Sequence, residues 1–293
     1  MKKTMTQKNI FLKPFLKWAW WKRYLLPVIN KFKPKTYKNY IEPFLWWWAV
    51  LFDIQPKIWF VNDINPELIN LYETIRDNVD LLVQDLKKHE NSSEYFYNIR
   101  WLDRNKDKFD NLTKVERASR IIYLNKTCFN WLFRVNSQWQ FNTPFWWYKS
   151  PNIVNEEVLR AVSKFLNDNE IKFYCWWFDN MLQYISKWDF VYLDPPYDPV
   201  SDTSSFTWYT LDGFWKEDQI RLRDFCVQID KKWAKFLLSN SATNFIKDIY
   251  NTWKFWEICI ETVWVPRTIN ANAKWRDKVD EFLIYNYKRN GKK

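Results

Sequence analysis

The sequence predicts an α/β fold, a Rossmann-like sheet carrying a helical insert. Three observations predict it. Short runs rich in Ile, Val, Phe and Tyr recur at Tyr40–Leu45, Ile58–Asp63, Ile171–Cys175, Asp189–Leu193, Phe236–Asn240 and Phe282–Tyr285, the pattern of buried strands. Two of these runs lead into acids, Asp63 and Asp194, and open α/β sheets place their chemistry where strands end. From about Glu67 to Asn169 the pattern is instead helical and polar, with few strand signals.

In chain order, the folded part opens at Phe15–Arg23. Leu25, Leu26, Val28 and Ile29 then predict a helix with Lys22 and Arg23 in its first turn. Tyr40–Leu45 leads through Trp46-Trp47-Trp48 into Ala49–Phe52, the layout of a strand, a tight loop and a helix. Asp63 closes the next strand, 17 residues after Trp46. Dinucleotide-type folds place a ribose-binding acid about 20 residues beyond the phosphate loop. Capping of the helix Pro66–Ile75 is the alternative role for Asp63, and Asn65 is a second candidate for that cap. Leu68, Ile69, Leu71, Tyr72 and Ile75, and later Val115, Ala118, Ile121 and Ile122, recur at helical spacing.

Asn125–Asn136, Phe141–Phe145 and Tyr148-Lys149 interleave Asn, Arg and Lys with aromatics. Such side chains read base edges, grip phosphates or wedge between bases. Ordinary loop packing is the alternative. After the run Asp189–Leu193 comes Asp194-Pro195-Pro196-Tyr197. Its prolines cannot continue a helix or a central strand, so they fix a loop of one geometry. A helix around Glu217–Ile229 follows, and Val265–Lys274 reads as a polar basic loop.

Composition removes several chemistries. The one histidine, His89, sits in Lys87-Lys88-His89-Glu90 and reads as part of a solvated helix face, so histidine triads and histidine metal sites are excluded. Cys128, Cys175, Cys226 and Cys259 are too scattered for a zinc site or a disulfide framework. Any general base is therefore a carboxylate, or none is needed. No apolar run reaches membrane-spanning length, and the N-terminus lacks a signal-peptide core, so a soluble, cytoplasmic protein is expected. The net charge of +11 favours a polyanionic partner.

One anomaly stands out. An ordinary chain of this length holds about 20 glycines. This one holds 2, against 22 tryptophans that cluster at Trp20-Trp21, Trp46-Trp47-Trp48, Trp146-Trp147 and Trp176-Trp177.

Taken together and in order, Phe15–Arg23, Tyr40–Phe52, Val61–Asn65, Leu124–Tyr148, Asp189–Tyr197 and Arg267–Tyr285 resemble the Dam-type (D12 class) DNA adenine-N6 methyltransferases, above all their GATC-methylating members from restriction–modification systems. The resemblance implies a Rossmann-like, S-adenosylmethionine-dependent methyltransferase sheet formed by residues 1–70 and 170–293, with residues 71–169 as the helical target-recognition insert. It implies S-adenosylmethionine as methyl donor and no metal. Trp18, Lys22, Asp63 and Asp194 would hold the cofactor. Asp194, Pro195, Pro196 and Tyr197 would be catalytic: Tyr197 stacks on a flipped adenine, while the Asp194 carboxylate and the Pro195 carbonyl accept the N6 hydrogens. Lys17, Asn130, Leu132, Arg134, Pro144 and Tyr148 would contact DNA, with Arg134 reading a guanine, and Arg267 would meet phosphate or cofactor. Double-stranded DNA is the implied partner, with a restriction endonuclease acting on the same site as a companion and a nucleoid-associated location.

The family pattern reads F-L-K-W-A-G-G-K-R and E-P-F-x-G-G-G, where this chain has Trp20-Trp21 and Trp46-Trp47-Trp48. Trp131 stands at another family glycine, and Trp139 and Trp146 at typically small positions. Trp177 stands where relatives carry an acid that helps hold the cofactor adenine. Some bacterial lineages read the codon UGA as glycine and others as tryptophan. Translation with the wrong table would write UGA-encoded glycines as tryptophan. Trp18 matches a family tryptophan and is expected to be genuine; Trp59, Trp101, Trp256 and Trp264 are assigned by no motif. The competing readings are a catalytically inactive DNA-binding protein of the same fold, which literal tryptophans would favour, and a cytosine-N4 methyltransferase, which usually carries Ser in place of Asp194.

Overall fold

The computed structural model describes residues 12–16, 21–46, 49–136, 138, 140–199, 214–251, 258–266 and 278–288. The elements run α1 (Trp21–Phe32), β1 (Tyr40–Glu42), α2 (Ala49–Ile54), β2 (Ile58–Asn62), α3 (Pro66–Asp77), α4 (Val79–Leu86), α5 (Ser93–Trp101), α6 (Lys106–Asp110), α7 (Lys114–Thr127), α8 (Glu156–Asn167), β3 (Glu170–Tyr174), β4 (Phe190–Leu193), α9 (Lys216–Lys231), β5 (Lys235–Ser241), α10 (Asn244–Asn251), β6 (Cys259–Pro266) and β7 (Lys278–Tyr285).

The seven strands form one sheet in the order β3-β2-β1-β4-β5-β7-β6. β1 to β5 are parallel, while β7 pairs antiparallel with both β5 and β6. The order reverses between β1 and β4, which lie side by side with Tyr40 opposite Phe190. A crevice therefore opens beyond their carboxyl ends, the position where such sheets bind ligands.

The strand sequences fit this placement. All four residues of β4 are buried, because both faces of the sheet are covered. Phe190 and Tyr192 join the core beneath α1, α3, α7 and α8, while Val191 and Leu193 join the core under α9 and α10. That is the two-residue alternation of a strand applied to two apolar layers. The helical insert shares the first of these cores. α3 packs on both α7 and α8 and runs through residue 70, so the expected boundary at 70/71 falls inside a helix. Asn65 caps α3, its side chain accepting from the Glu67 N–H at 2.9 Å, and Asp63 is thereby released from that duty.

Two expectations are corrected. His89 is not on a solvated face: its ring stacks on Tyr123 with centroids 4.4 Å apart, and its two nitrogens meet Tyr95 Oη and Ser119 Oγ. Val265 and Pro266 belong to β6, an edge strand with exposed positions at Thr262 and Trp264, too polar in its alternation to stand out as a buried run. The rest of the basic loop, including Arg267, lies outside the described residues.

Among the described residues, six that are not glycine have positive φ, and four of the six are tryptophan: Trp46, Trp131, Trp188 and Trp233. Trp233 shows the reason. It follows the C-cap Lys232 of α9 at φ 60; its N–H donates to Asp230 O at 2.7 Å, and the Ala234 N–H donates to Ile229 O at 3.2 Å. These two bonds define a Schellman helix end, whose left-handed residue is ordinarily glycine. Trp188, at φ 72, occupies a turn beside it and donates its N–H to Trp233 O. Both indoles stand in solvent, 57% and 64% exposed, so burial does not offset the backbone cost. Trp59 is the opposite case, fully buried on β2 and packed against Phe165 at 4.9 Å. Trp233→Gly should accordingly raise the unfolding free energy by about 1 kcal/mol, while Trp59→Gly should lower it by about 3 kcal/mol or more. Urea denaturation checks both, and a destabilised Trp233→Gly would contradict the assignment.

Candidate active site

Four loops meet beyond the carboxyl ends of β1 to β4. Asn62, buried at the end of β2, ties two of them together. Its Nδ2 donates to Pro43 O at 3.0 Å and to Trp176 O at 2.9 Å, and its Oδ1 accepts from the Trp176 N–H at 2.9 Å. Next to it the Asp63 carboxylate accepts from the Trp46 N–H at 3.1 Å and from the Asn65 N–H at 2.8 Å. Burial raises the Asp63 pKa to about 6, against the pull of those two backbone bonds. Tyr72 Oη on α3 donates to Trp46 O at 2.7 Å, so the left-handed turn at residue 46 is gripped from both sides.

Asp194 leaves β4 directly into this crevice. It is buried, and its Oδ1 accepts from Ser239 Oγ on β5 at 3.2 Å. Pro195 and Pro196 carry the chain to Tyr197, whose hydroxyl donates to Glu281 Oε2 on β7 at 3.1 Å. Burial and the Glu281 charge push the Tyr197 pKa well up, so its phenol stays protonated. The sequence-predicted residues Asp63 and Asp194 thus follow β2 and β4, the two strands that flank β1, and Trp46 touches both, its N–H on the Asp63 carboxylate and its indole on Asp194 O. Trp18 and Lys17 lie outside the described residues, as does the side chain of Lys22 in the first turn of α1. Asn62, Ser239 and Glu281 were not anticipated; no local motif marks them, because each acts on a residue far away in the chain.

A nucleotide-sized ligand does not fit the crevice as it stands. The cavity measures about 40 Å³ and is lined in part by Phe44, Trp46, Asp63, Trp176, Trp177 and Pro196. Sites for such ligands measure roughly 300–1,000 Å³. The Trp46 indole crosses the crevice and donates Nε1–H to Asp194 O at 2.6 Å. Residue 46 thus spans from the Asp63 carboxylate, held by its N–H, to the Asp194 main chain, held by its indole. The Trp177 Nε1–H is buried with no hydrogen-bond partner among the described residues, an arrangement that costs roughly 1–3 kcal/mol. The donor set suits S-adenosylmethionine, and the indoles shut it out.

A second cluster lies on the insert. Bridges Cys128↔Phe145 and Val135↔Phe141 join residues 128–136 to 140–148 as a two-stranded loop. It brings together Asn130, Leu132, Arg134, Pro144 and Tyr148. Asn130 is left-handed at φ 52. Arg134 is exposed, with its Nε–H donated to Asn142 Oδ1 at 2.7 Å. Pro144 is also exposed, and its carbonyl accepts the Phe129 N–H. The Tyr148 ring stacks on Trp131 at 5.0 Å and 6°. The loop is held from behind by buried charge. Arg120 pairs with Asp103 at 2.6 Å, and the same Asp103 oxygen accepts the Phe141 N–H at 2.8 Å. Arg100 donates to Thr143 O at 3.2 Å. Arg120 and Arg100 thus brace the loop from inside, while Arg134 is displayed on its exposed face.

Residues 18–265 match the family model of the D12 class N6 adenine-specific DNA methyltransferases. A type II methyltransferase of Lactococcus lactis subsp. cremoris is 41% identical over 286 residues, covering 97% of this chain and 99% of the relative. A type II methyltransferase of Methanocaldococcus jannaschii is 39% identical over 296 residues, covering 94% and 99%. A DNA adenine methylase of Haemophilus influenzae is 34% identical over 289 residues, covering 96% of each chain.

Replacing Trp46, Trp47, Trp48, Trp176 and Trp177 together by glycine should open the crevice. Calorimetry is expected to detect S-adenosylhomocysteine binding to that variant and none to the chain as written. Asp63 accepts bonds best as a carboxylate, so the affinity should rise with pH as it ionises, at a lower pH than in the closed crevice because the indoles that bury it are gone, and Asp63→Asn should flatten that dependence. Equal binding by both chains would contradict the occlusion.

Proposed function

The chain belongs to the D12 class of N6 adenine-specific DNA methyltransferases, and on that premise we propose that it methylates the adenine of GATC duplexes in a form carrying glycine at most positions written as tryptophan. The observation that carries the reading is Asp194-Pro195-Pro196-Tyr197 at the point where the strand order reverses, with Pro196 lining the same cavity as Asp63. Adenine is unreachable inside a duplex and must be flipped out. Its amino nitrogen is a poor nucleophile, since the lone pair is delocalised into the ring. The Asp194 carboxylate and the Pro195 carbonyl are the two acceptors we assign to the amino hydrogens; binding both localises the pair on nitrogen. Tyr197, anchored through its hydroxyl, is the ring we assign to stack on the base. S-adenosylmethionine supplies an activated methyl group when bound. Asp63 and Asp194, with Trp18 and Lys22, are the residues we assign to it.

Glycine at the tryptophan positions is supported from three sides. Left-handed backbone at residues 46, 131, 188 and 233 is the conformation glycine adopts without cost. The indoles of Trp146, Trp147, Trp188, Trp215 and Trp233 are exposed, where a large apolar ring gains little from burial. Trp46, Trp176 and Trp177 close the cavity that the family's chemistry needs.

The two-stranded loop of the insert is the DNA-reading element in this proposal. Arg134 contacts a guanine, and Asn130, Leu132, Pro144 and Tyr148 contact or wedge at the site, with Lys17 beside them. Without an indole at 131, the Tyr148 ring loses its stacking partner and stands free to enter the duplex. Relatives named type II methyltransferases support a restriction–modification setting, with an endonuclease of the same specificity, in the cytoplasm. Among the described residues no helix is long and apolar enough to cross a membrane. The blocked crevice is the one observation favouring an inactive DNA-binding protein.

Labelled S-adenosylmethionine and GATC duplexes test the reading. Label is expected on adenine N6 with the glycine form and not with the chain as written. Arg134→Ala in the glycine form should relax discrimination at one base pair by about 1–3 kcal/mol. An unlabelled duplex with an open, ligand-binding crevice would favour the inactive binder. Label on cytosine would overturn the choice of base.

A further inference from the structure

We propose that Gln219 and Asn240 are positioning residues that staple the active loop on both sides of Tyr197, and that they decide which loop carbonyl is left for the substrate amine. Three hydrogen bonds run head to tail. The Asp198 N–H donates to Asn240 Oδ1 at 3.1 Å, Asn240 Nδ2–H donates to Gln219 Oε1 at 2.9 Å, and Gln219 Nε2–H donates to Pro196 O at 2.9 Å. The relay starts at residue 198 and ends at residue 196, so it brackets the tyrosine. Both amides are buried.

The chemistry requires amides at both places. Each side chain donates at one end and accepts at the other, which a carboxylate, an alcohol or an apolar side chain of the same size cannot do in this direction. The orientation of Asn240 is fixed by a further bond, its Oδ1 also accepting the Ser241 N–H at 2.8 Å. That in turn fixes Gln219. The supports are rigid elements: Asn240 lies on β5, paired on both sides by β4 and β7, and Gln219 lies in the first turns of α9. Thr243 Oγ holds the Asp198 carboxylate at 2.6 Å, which secures the far end.

The consequence is selective. The Pro196 carbonyl is consumed by Gln219, while among the described residues none donates to the Pro195 carbonyl. Of these two successive carbonyls, the staple commits one and leaves the other without a donor among the described residues. A loop lacking the staple could rotate its peptide planes and misplace both the acceptor and the Tyr197 ring. The inference rests on the functional reading above, because it gives the Pro195 carbonyl its task.

The test uses the full-length glycine-bearing enzyme. Gln219→Met fills the same space without hydrogen bonds. Its kcat is expected to fall about tenfold to a hundredfold, the effect of a small misplacement of reacting groups, with KM for DNA and cofactor affinity within about twofold of the parent. Gln219→Glu lacks a donor while ionised and regains one when protonated, so its kcat should recover as the pH falls, a trend the parent lacks. A merely structural role would lower the melting temperature without moving the kcat of folded enzyme or its pH profile. That result, or parental kcat in both variants, would overturn the staple. Hydrogen exchange at the Asp198 amide reads the same relay without turnover and should quicken in Gln219→Met; unchanged exchange would also overturn it. A parent that does not methylate defeats the functional reading, while the exchange measurement still decides the staple.

Discussion

The backbone at residue 46 is the constraint on which the site depends. Its N–H is committed to the Asp63 carboxylate, its carbonyl to Tyr72 Oη, and its φ is 43°. With both polar groups taken, the turn has no freedom left, and the side chain on it lies in the crevice beside Asp63. The indole there reaches Asp194 O and shuts the space. A hydrogen atom in its place leaves the same backbone bonds intact and the crevice open. The left-handed turn that holds Asp63 is thus one that glycine would adopt without cost and without a side chain in the crevice.

The same logic extends outward. The sheet supplies fixed strand ends, and each loop at those ends is tied by a polar side chain from a neighbouring element. Asn62 ties the loops after β1 and β3, Ser239 reaches Asp194, and Glu281 holds Tyr197. Buried polar groups of this kind contribute position more than stability, because each must be fully paired to avoid a penalty. The insert repeats the device with charge, Asp103 and Arg120 holding Phe141 and so the loop that displays Arg134. The crevice loops and the two-stranded loop of the insert are therefore both mounted on rigid supports.

Much of this was legible in the sequence, and the rest was hidden for physical reasons. β4 was readable because it is buried on both faces and so is a continuous apolar run, and β2 because Ile58 to Val61 are apolar throughout although Ile58 is exposed. Asp63 and Asp194 were readable because each follows such a run directly. β6 was not, since an edge strand alternates with solvent. His89 looked solvated because its charged neighbours said nothing of Tyr123, 34 positions on, which it stacks against. Gln219, Asn240 and Glu281 carry no local signature, because their partners arrive only through the sheet. The left-handed backbone at Trp188 and Trp233 carries no motif and shows only once the helix end and the turn are seen.

The identity of the residues at the left-handed and crevice positions is the most direct test of this picture. Peptide mass spectrometry of the protein purified from its natural host reads them without assumption. Glycine is predicted at 46, 47, 48, 188 and 233, with tryptophan at 18 and 59. Tryptophan at 46 to 48 in protein from a host that encodes those positions with UGG would contradict it, and would leave a methyltransferase fold with its cofactor crevice closed.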